Sequence, residues 1–201
     1  MKLYYTPGAC SLASHIVLCE CALPYTLERV DLRNKTIADG RDFLTINPLG
    51  YVPVLELNNG EILTEGTAIL YYLADLVPSA GLVPPAGEVA RYRLLAWLNF
   101  IGSELHKNFS PLFGKDTPPE YKAQVSARLA ARLAHVDGVL AYSPYLADDA
   151  FSIADVYLFV VSNWAKVVGL DLTPYPHLLA FRERVLARPS VQKAMQEEGL
   201  L

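Results

Sequence analysis

The spacing of apolar residues changes along this chain, from short strand-like runs in the first third to long helical stripes in the remainder. Lys2 to Tyr5 is a brief strand-like stretch that meets the turn Thr6-Pro7-Gly8. After it, Leu12, Ile16 and Cys19 recur at helical spacing within Ser11 to Cys21. A second strand is predicted around Tyr25 to Asp31, and a connection of this length between strands of one sheet implies a parallel βαβ unit. Val52 to Leu57 and Glu61 to Leu63 flank Asn59-Gly60, the dipeptide that best tolerates the positive φ angles of a tight hairpin, so these two strands are expected to be antiparallel. Thr64 precedes a helix with the apolar stripe Ile69, Leu70 and Leu73. The order β-α-β, a variable segment, then β-β-α predicts a small mixed sheet with helices packed against it.

The stretch from Asp75 to Glu88 holds Pro78, Gly81, Pro84, Pro85 and Gly87, a density of breakers that no regular element carries. It reads as a linker, placed at residues 79–87, between an α/β domain at 1–78 and a second domain at 88–201. Everything after it reads as helix. Leu94, Leu98, Ile101 and Leu105 form one stripe, and Val125, Leu129, Val136 and Leu140 another, so the second domain is expected to be an all-α bundle. Ser152 followed by Asp155 matches a capping box with Asp in the place of Glu or Gln, and Phe151 and Val156 stand at hydrophobic-staple positions. The apolar run Val156 to Val161 then predicts a central helix with a structural role.

Composition narrows the function. With 201 residues and 52% hydrophobic side chains the chain can fill a substantial core, which excludes a disordered segment. A net charge of −4, without clustered Lys and Arg, argues against a nucleic-acid partner, because phosphate neutralisation needs such clusters. No stretch approaches the roughly 20 apolar residues of a membrane helix, and the opening MKLYYTPGAC lacks a secretory core, so a cytoplasmic protein with a small ligand is expected. Cys10, Cys19 and Cys21 are an odd, sparse set, unlike a disulfide framework. Cys19 and Cys21 point to different helix faces, which favours packing over pairing, and no metal site is expected.

Several residues could carry chemistry. Cys10 lies between the Pro7-Gly8 turn and a helix start, where unpaired N–H groups and the helix dipole favour a negative sulfur; a buried cysteine acting as a small hydrophobe is the competing reading. The hydroxyls of Tyr5 and Ser11 are able to donate to a thiolate, and equally able to serve as core contact and cap. Pro53 opens a strand, is able to adopt the cis form, and would leave the Val52 backbone exposed to a peptide-like ligand. Thr64-Glu65-Gly66 begins a helix whose N–H groups can hold a carboxylate while Glu65 holds an ammonium, so one site would bind both charges of an α-amino acid. The alternative is a simple helix cap with a favourable first-turn acid. Asn99, Ser103 and His106 fall at i, i+4 and i+7, a polar stripe that either lines a cleft or is merely solvated.

In order and spacing, YYTPGACSLASHI, NPLGYVPVLEL, TEGTAILYYLAD, WLNFIGSELHK and FSIADVYLF resemble the cytosolic glutathione transferases, and most closely their bacterial beta class. The resemblance spans essentially the whole chain. It implies a thioredoxin-like N-terminal domain followed by an all-α C-terminal bundle, with glutathione as cosubstrate. It further implies that Cys10 and His106 are catalytic, with Cys10 facing the glutathione sulfur and His106 nearest to it. Val52, beside a cis Pro53, would pair with the cysteinyl part, Glu65 and Gly66 would hold the γ-glutamyl end, and Lys35 would meet the glycyl carboxylate. Asn99, Ser103 and Glu104 match the helical domain's contribution. The segment Phe109 to Pro118 matches the wall of the second-substrate pocket, and a homodimer is implied.

The function expected on this resemblance is activation of the glutathione thiol as a thiolate and its conjugation to small hydrophobic electrophiles, as in detoxification. Two other readings stand beside it. One is glutathione-dependent thiol–disulfide exchange through Cys10, with glutathione as the resolving thiol because Ala13 occupies the second position of a CxxC spacing. The other is a non-catalytic carrier of hydrophobic compounds.

Overall fold

The computed structural model describes residues 1–147 and 149–201. The chain divides into two compact units, one formed by Met1–Ala80 together with Ala187–Leu201 and the other by Gly81–Leu186.

In the first unit β1 (Lys2–Tyr5), α1 (Ser11–Glu20) and β2 (Thr26–Asp31) form the parallel βαβ unit, with Leu3 opposite Leu27. β3 (Thr36–Ile37), β4 (Val54–Glu56) and β5 (Ile62–Leu63) complete a sheet of order β3-β2-β1-β4-β5. β4 and β5 are antiparallel, and Gly60 turns between them at φ +84° as the Asn-Gly signal predicts. α2 (Gly66–Leu76) buries Ile69, Leu70 and Leu73 and packs on α1. Strand alternation sends Tyr4 and Val54 to one face of the sheet and Leu3 and Leu55 to the other. Tyr4, Val30, Ile37, Phe43, Val52 and Val54 make one buried cluster, with the Tyr4 and Phe43 rings 5.9 Å apart. The segment expected only to vary contains β3 and a single helical turn at Phe43–Thr45, where the Leu44 N–H donates to the Asp42 carboxylate. A two-residue strand is too short to leave a period-two signature in sequence.

The second unit is helical. α3 (Val89–Phe100) passes through a π-helical turn (Ile101–His106) into α4 (Lys107–Phe113), followed by α5 (Pro119–Leu140), α6 (Ile153–Val168) and α7 (Pro176–Leu186). Leu94, Leu98, Ile101, Leu105, Val125, Leu129 and Val136 are all fully buried, as their helical spacing predicts. α6 is buried without a break from Ile153 to Ser162. At its start the Ser152 N–H and hydroxyl both donate to one Asp155 carboxylate oxygen, at 2.9 and 2.7 Å, while the Leu146 N–H donates to the other at 2.9 Å. Burial outweighs these bonds and pushes the Asp155 carboxyl up to about 6.

α8 (Pro189–Glu197) differs from expectation. The sequence reading assigns residues 88–201 to one helical block, whereas the last residues belong to the first unit. The reason is charge pairing with α1: the Arg188 guanidinium donates to both oxygens of Glu20, at 2.6 and 3.1 Å, and Ser190 donates to the same carboxylate. These bonds hold the Glu20 carboxyl below the usual carboxylate range despite its burial.

Candidate functional site

The loop between β1 and α1 is closed by its own side chains. The Thr6 hydroxyl donates to the Val30 carbonyl at 2.8 Å, and the Ser11 hydroxyl accepts from the Thr6 N–H at 3.2 Å and donates to the Thr6 carbonyl at 3.3 Å. Ser11 is fully buried and fully engaged there, so its hydroxyl acts as a turn lock. Tyr5 is also buried, and burial raises the pKa of its phenol. Gly8 takes φ +70°, which an L side chain rarely adopts, and its N–H donates to the Glu198 carboxylate at 2.9 Å.

This geometry leaves Cys10 as the N-cap residue of α1, half-buried, with its thiol donating to the Val52 carbonyl at 3.1 Å. None of the three cysteines forms a disulfide. The Val52–Pro53 peptide is cis, and the Val52 residue is buried rather than open, with its carbonyl turned to the Cys10 sulfur. Asn47 shapes the approach to it by donating to the Tyr51 carbonyl at 2.9 Å and accepting from the Leu49 N–H at 3.2 Å.

Glu65 and Gly66 stand next to this segment. A Cβ placed on Gly66 would meet the Pro53 ring at 3.7 Å, so the start of α2 lies directly against the proline. Gly66 is the first residue of α2, whose leading N–H groups have no partner within the helix. Glu65 is exposed and takes φ +67°. Lys35 also has a positive φ, +56°, and its ammonium donates to the Gly50 carbonyl at 2.9 Å while lying 5.9 Å from the centre of the Tyr51 ring. Among the described residues only one other non-glycine, Ala22, has a positive φ. Such conformations cost on the order of 1–3 kcal/mol each and persist where surrounding structure enforces them, often at ligand clamps.

The polar residues of the second unit gather around the π-helical turn. Ser103 donates to the Asn99 carbonyl at 2.9 Å, and both residues are exposed. Glu104 pairs with the Arg132 guanidinium at 2.7 Å, and its carbonyl accepts from Asn108 at 2.8 Å. His106 is half-buried; its Nδ1 lies 2.6 Å from the Tyr157 hydroxyl and its ring meets the Trp164 ring edge-on at 4.7 Å. Burial first, and the Lys107 charge second, push the His106 imidazole down to about 4, so it is neutral at pH 7. Phe109 and Phe113 pack against Trp164 at 5.8 and 5.7 Å, and Phe113 remains 46% exposed, which presents an apolar aromatic surface beside the imidazole.

The sequence reading named His106 but missed what orients it. Tyr157 and Trp164 fall in a helix read as purely structural, and only their aromatic character within α6 hinted otherwise. Asn47, Glu198 and His15 were also passed over, because nothing local to a lone Asn, Glu or His distinguishes a loop clamp from a surface residue.

Comparison with known proteins gives a consistent answer over both units. Residues 8–76 match the glutathione S-transferase N-terminal domain and residues 100–189 the glutathione S-transferase C-terminal domain. The chain is 48% identical over 200 residues to glutathione S-transferase GstA of Escherichia coli O157:H7, covering all of both chains. It is 47% identical to the solved sphingomonad glutathione S-transferase complexed with glutathione, with a TM-score of 0.96 and full coverage of both chains. A beta class glutathione S-transferase from Sphingomonas chungbukensis is 46% identical, with a TM-score of 0.97 and the same coverage.

Proposed function

Because this chain belongs to the glutathione S-transferase family and is itself a glutathione S-transferase, we propose that it conjugates glutathione to small hydrophobic electrophiles through a thiolate held on the first unit. The observation that carries this reading is the juxtaposition of the Cys10 thiol, the Val52 carbonyl and the uncapped start of α2 at Gly66, with Pro53 between the last two. A peptide-like ligand needs a backbone partner, an acceptor for its ammonium and N–H donors for its carboxylate. Val52, Glu65 and the α2 N-terminus at Gly66 supply these in turn. Lys35 adds an ammonium for a second carboxylate. Glutathione carries all of these groups.

In this reading the bound thiol loses its proton to solvent because hydrogen-bond donors already in place favour the anion, which lowers its effective pKa. The thiolate forms a carbon–sulfur bond with the electrophile as the leaving group, for example chloride on a chloronitroaromatic ring, departs with its electron pair. His106 is the proposed donor from the helical unit. A neutral imidazole that accepts the Tyr157 hydroxyl proton at Nδ1 carries its own proton on Nε2, where it can donate to an anion. Asn99, Ser103 and Glu104 are proposed to assist glutathione binding, and Phe109, Phe113 and Trp164 to offer the electrophile its apolar surface. A homodimer and a cytoplasmic location complete the proposal; no helix of the described residues is long and apolar enough to cross a membrane.

A second reading is favoured by the position of Cys10 itself. Its thiolate can attack a mixed disulfide between glutathione and another small thiol, forming a Cys10–glutathione disulfide as the other thiol leaves as thiolate; a free glutathione thiolate then restores the cysteine and departs as oxidised glutathione. Steady-state conjugation of glutathione to 1-chloro-2,4-dinitrobenzene tests the first reading. Saturable turnover in both substrates is expected, and glutathione-independent affinity for hydrophobic compounds with no turnover would instead favour the carrier.

A further inference from the structure

Further along α1, three metal-ligating side chains of different chemical type converge. We propose that His15, Cys19 and Glu197 form a site for a divalent cation of the zinc type that staples α8 to α1. His15 and Cys19 stand at i and i+4, one turn apart on the same face of α1, and Glu197 arrives from the end of α8, 182 residues beyond His15. One donor atom from each lies within 4.8 Å of the other two. The His15 Nε2 is 2.8 Å from a Glu197 oxygen, and the Tyr25 hydroxyl sits among the three, 3.3 Å from Nε2, 3.1 Å from the Cys19 sulfur and 2.6 Å from Glu197.

A tetrahedral zinc ion with bonds of about 2.0–2.3 Å needs donors roughly 3.3–3.8 Å apart, so the three ligands require shifts of well under a side-chain length. The phenol of Tyr25 gives up the centre to the ion, and water takes the fourth position. Binding releases the imidazole and thiol protons to solvent, leaving one neutral and two anionic ligands, a set that suits zinc rather than magnesium or calcium.

Two further observations belong to a ligand site more than to a surface ion pair. The His15 Nδ1 is held at 3.0 Å by the Glu198 carboxylate, which is fully buried and accepts the Gly8 N–H at 2.9 Å with its other oxygen. This fixes the ring so that Nε2 faces the cluster, the carboxylate–histidine arrangement that orients and strengthens metal-binding imidazoles. Glu197 is exposed and Cys19 half-buried, so an ion can reach these two ligands from the surface, while His15 faces them from within. Cys19 lines a surface depression of about 390 Å³ with Glu20, Arg188, Pro189, Ser190 and Lys193. Lys193 lies 3.9 Å from the second oxygen of Glu197, which leaves the oxygen that faces His15 to the ion.

The test uses the full-length, reduced protein after chelator treatment, titrated with cobalt(II) as the spectroscopic probe and then competed with zinc. One equivalent is expected to give a thiolate-to-cobalt charge-transfer band in the near ultraviolet, abolished by zinc. Cys19→Ser is expected to remove the band, and Glu197→Gln to weaken binding by about tenfold or more. Zinc is expected to raise the thermal unfolding midpoint of the wild type and leave that of Cys19→Ser unchanged. Glutathione conjugation by each variant checks that it is folded, since neither residue belongs to the proposed reaction machinery. Absence of a cobalt–thiolate band in the wild type, or a band of equal strength in a folded Cys19→Ser variant, overturns the proposal; should that variant misfold, Glu197→Gln decides alone.

Discussion

The Cys10 thiol and the Val52 carbonyl face one another at 3.1 Å, across a loop and a strand start that are 42 residues apart in the chain. Val52 is the residue whose backbone is proposed to receive the cysteinyl part of glutathione, so the protein's own sulfur already occupies one of the ligand's partners.

Replacement of Cys10 by Ala should therefore separate the two chemistries. Disulfide exchange with a mixed disulfide of glutathione should vanish. Conjugation should fall by less than about tenfold, because one thiol hydrogen bond is worth about 1 kcal/mol. Parallel assays with a disulfide substrate and a chloronitroaromatic substrate measure both; a variant that keeps exchange sinks the Cys10 mechanism.

Lys35 and Glu65 are proposed to grip the ends of the tripeptide, far from the reacting carbon. Lys35→Met and Glu65→Gln should each raise KM for glutathione on the order of 10- to 100-fold, the worth of a charge-assisted hydrogen bond. The kcat should change little if these groups bind ground and transition states alike. Calorimetry of glutathione binding gives the same ranking without turnover.

The Tyr157 hydroxyl, 2.6 Å from the His106 Nδ1, sets the orientation of the imidazole. Loss of the donor itself in His106→Phe should lower kcat by about tenfold or more. Tyr157→Phe should lower it less, since the ring stays packed on Trp164. Equal effects on KM alone in both variants would remove His106 from the chemistry.

Protonation of His106 offers a pH test. Its folded-state pKa, about 4, lies below the ordinary 6.5, so the unfolded chain binds the proton more readily in the interval between them. The stability this contributes is present above about pH 6.5 and is lost as the pH falls towards 4. Urea midpoints of the wild type should drop more steeply over that interval than those of His106→Asn. The His106 ring resonances should stay constant from pH 8 to 5.5.

At the start of α6, Ser152→Ala removes a hydroxyl that donates to the buried Asp155 carboxylate at 2.7 Å. A loss of about 0.5–2 kcal/mol of folding stability is expected, the usual worth of a capping side chain. Chemical unfolding of the two proteins gives the difference directly, with glutathione affinity as the control.

What the sequence determined by itself is the local part of this protein. The strand-like runs at Lys2 to Tyr5 and Val52 to Leu57, period 3.6 through Leu94, Leu98, Ile101 and Leu105, the Asn59-Gly60 hairpin and the Ser152-Asp155 box are each written within a dozen residues, where backbone geometry alone dictates the pattern. The candidate site was legible only as separate pieces, and a family resemblance joined them.

Tertiary structure decided what depends on distance. The π-helical turn at Ile101–His106 spans too few residues for its wider period to be told from an α-helix in sequence, yet it sets where Ser103 and His106 fall. Glu198 reaches back 190 residues to hold the Gly8 turn that precedes Cys10, and α8 joins the first unit through Glu20. Cys19 was weighed against its neighbour Cys21, whereas its sulfur meets the Tyr25 hydroxyl and lies within 4.8 Å of His15 one turn earlier and of Glu197 from the far end of the chain. Side chains so placed meet because burying them in pairs costs less than burying them alone, and that choice is made only when the whole chain has closed.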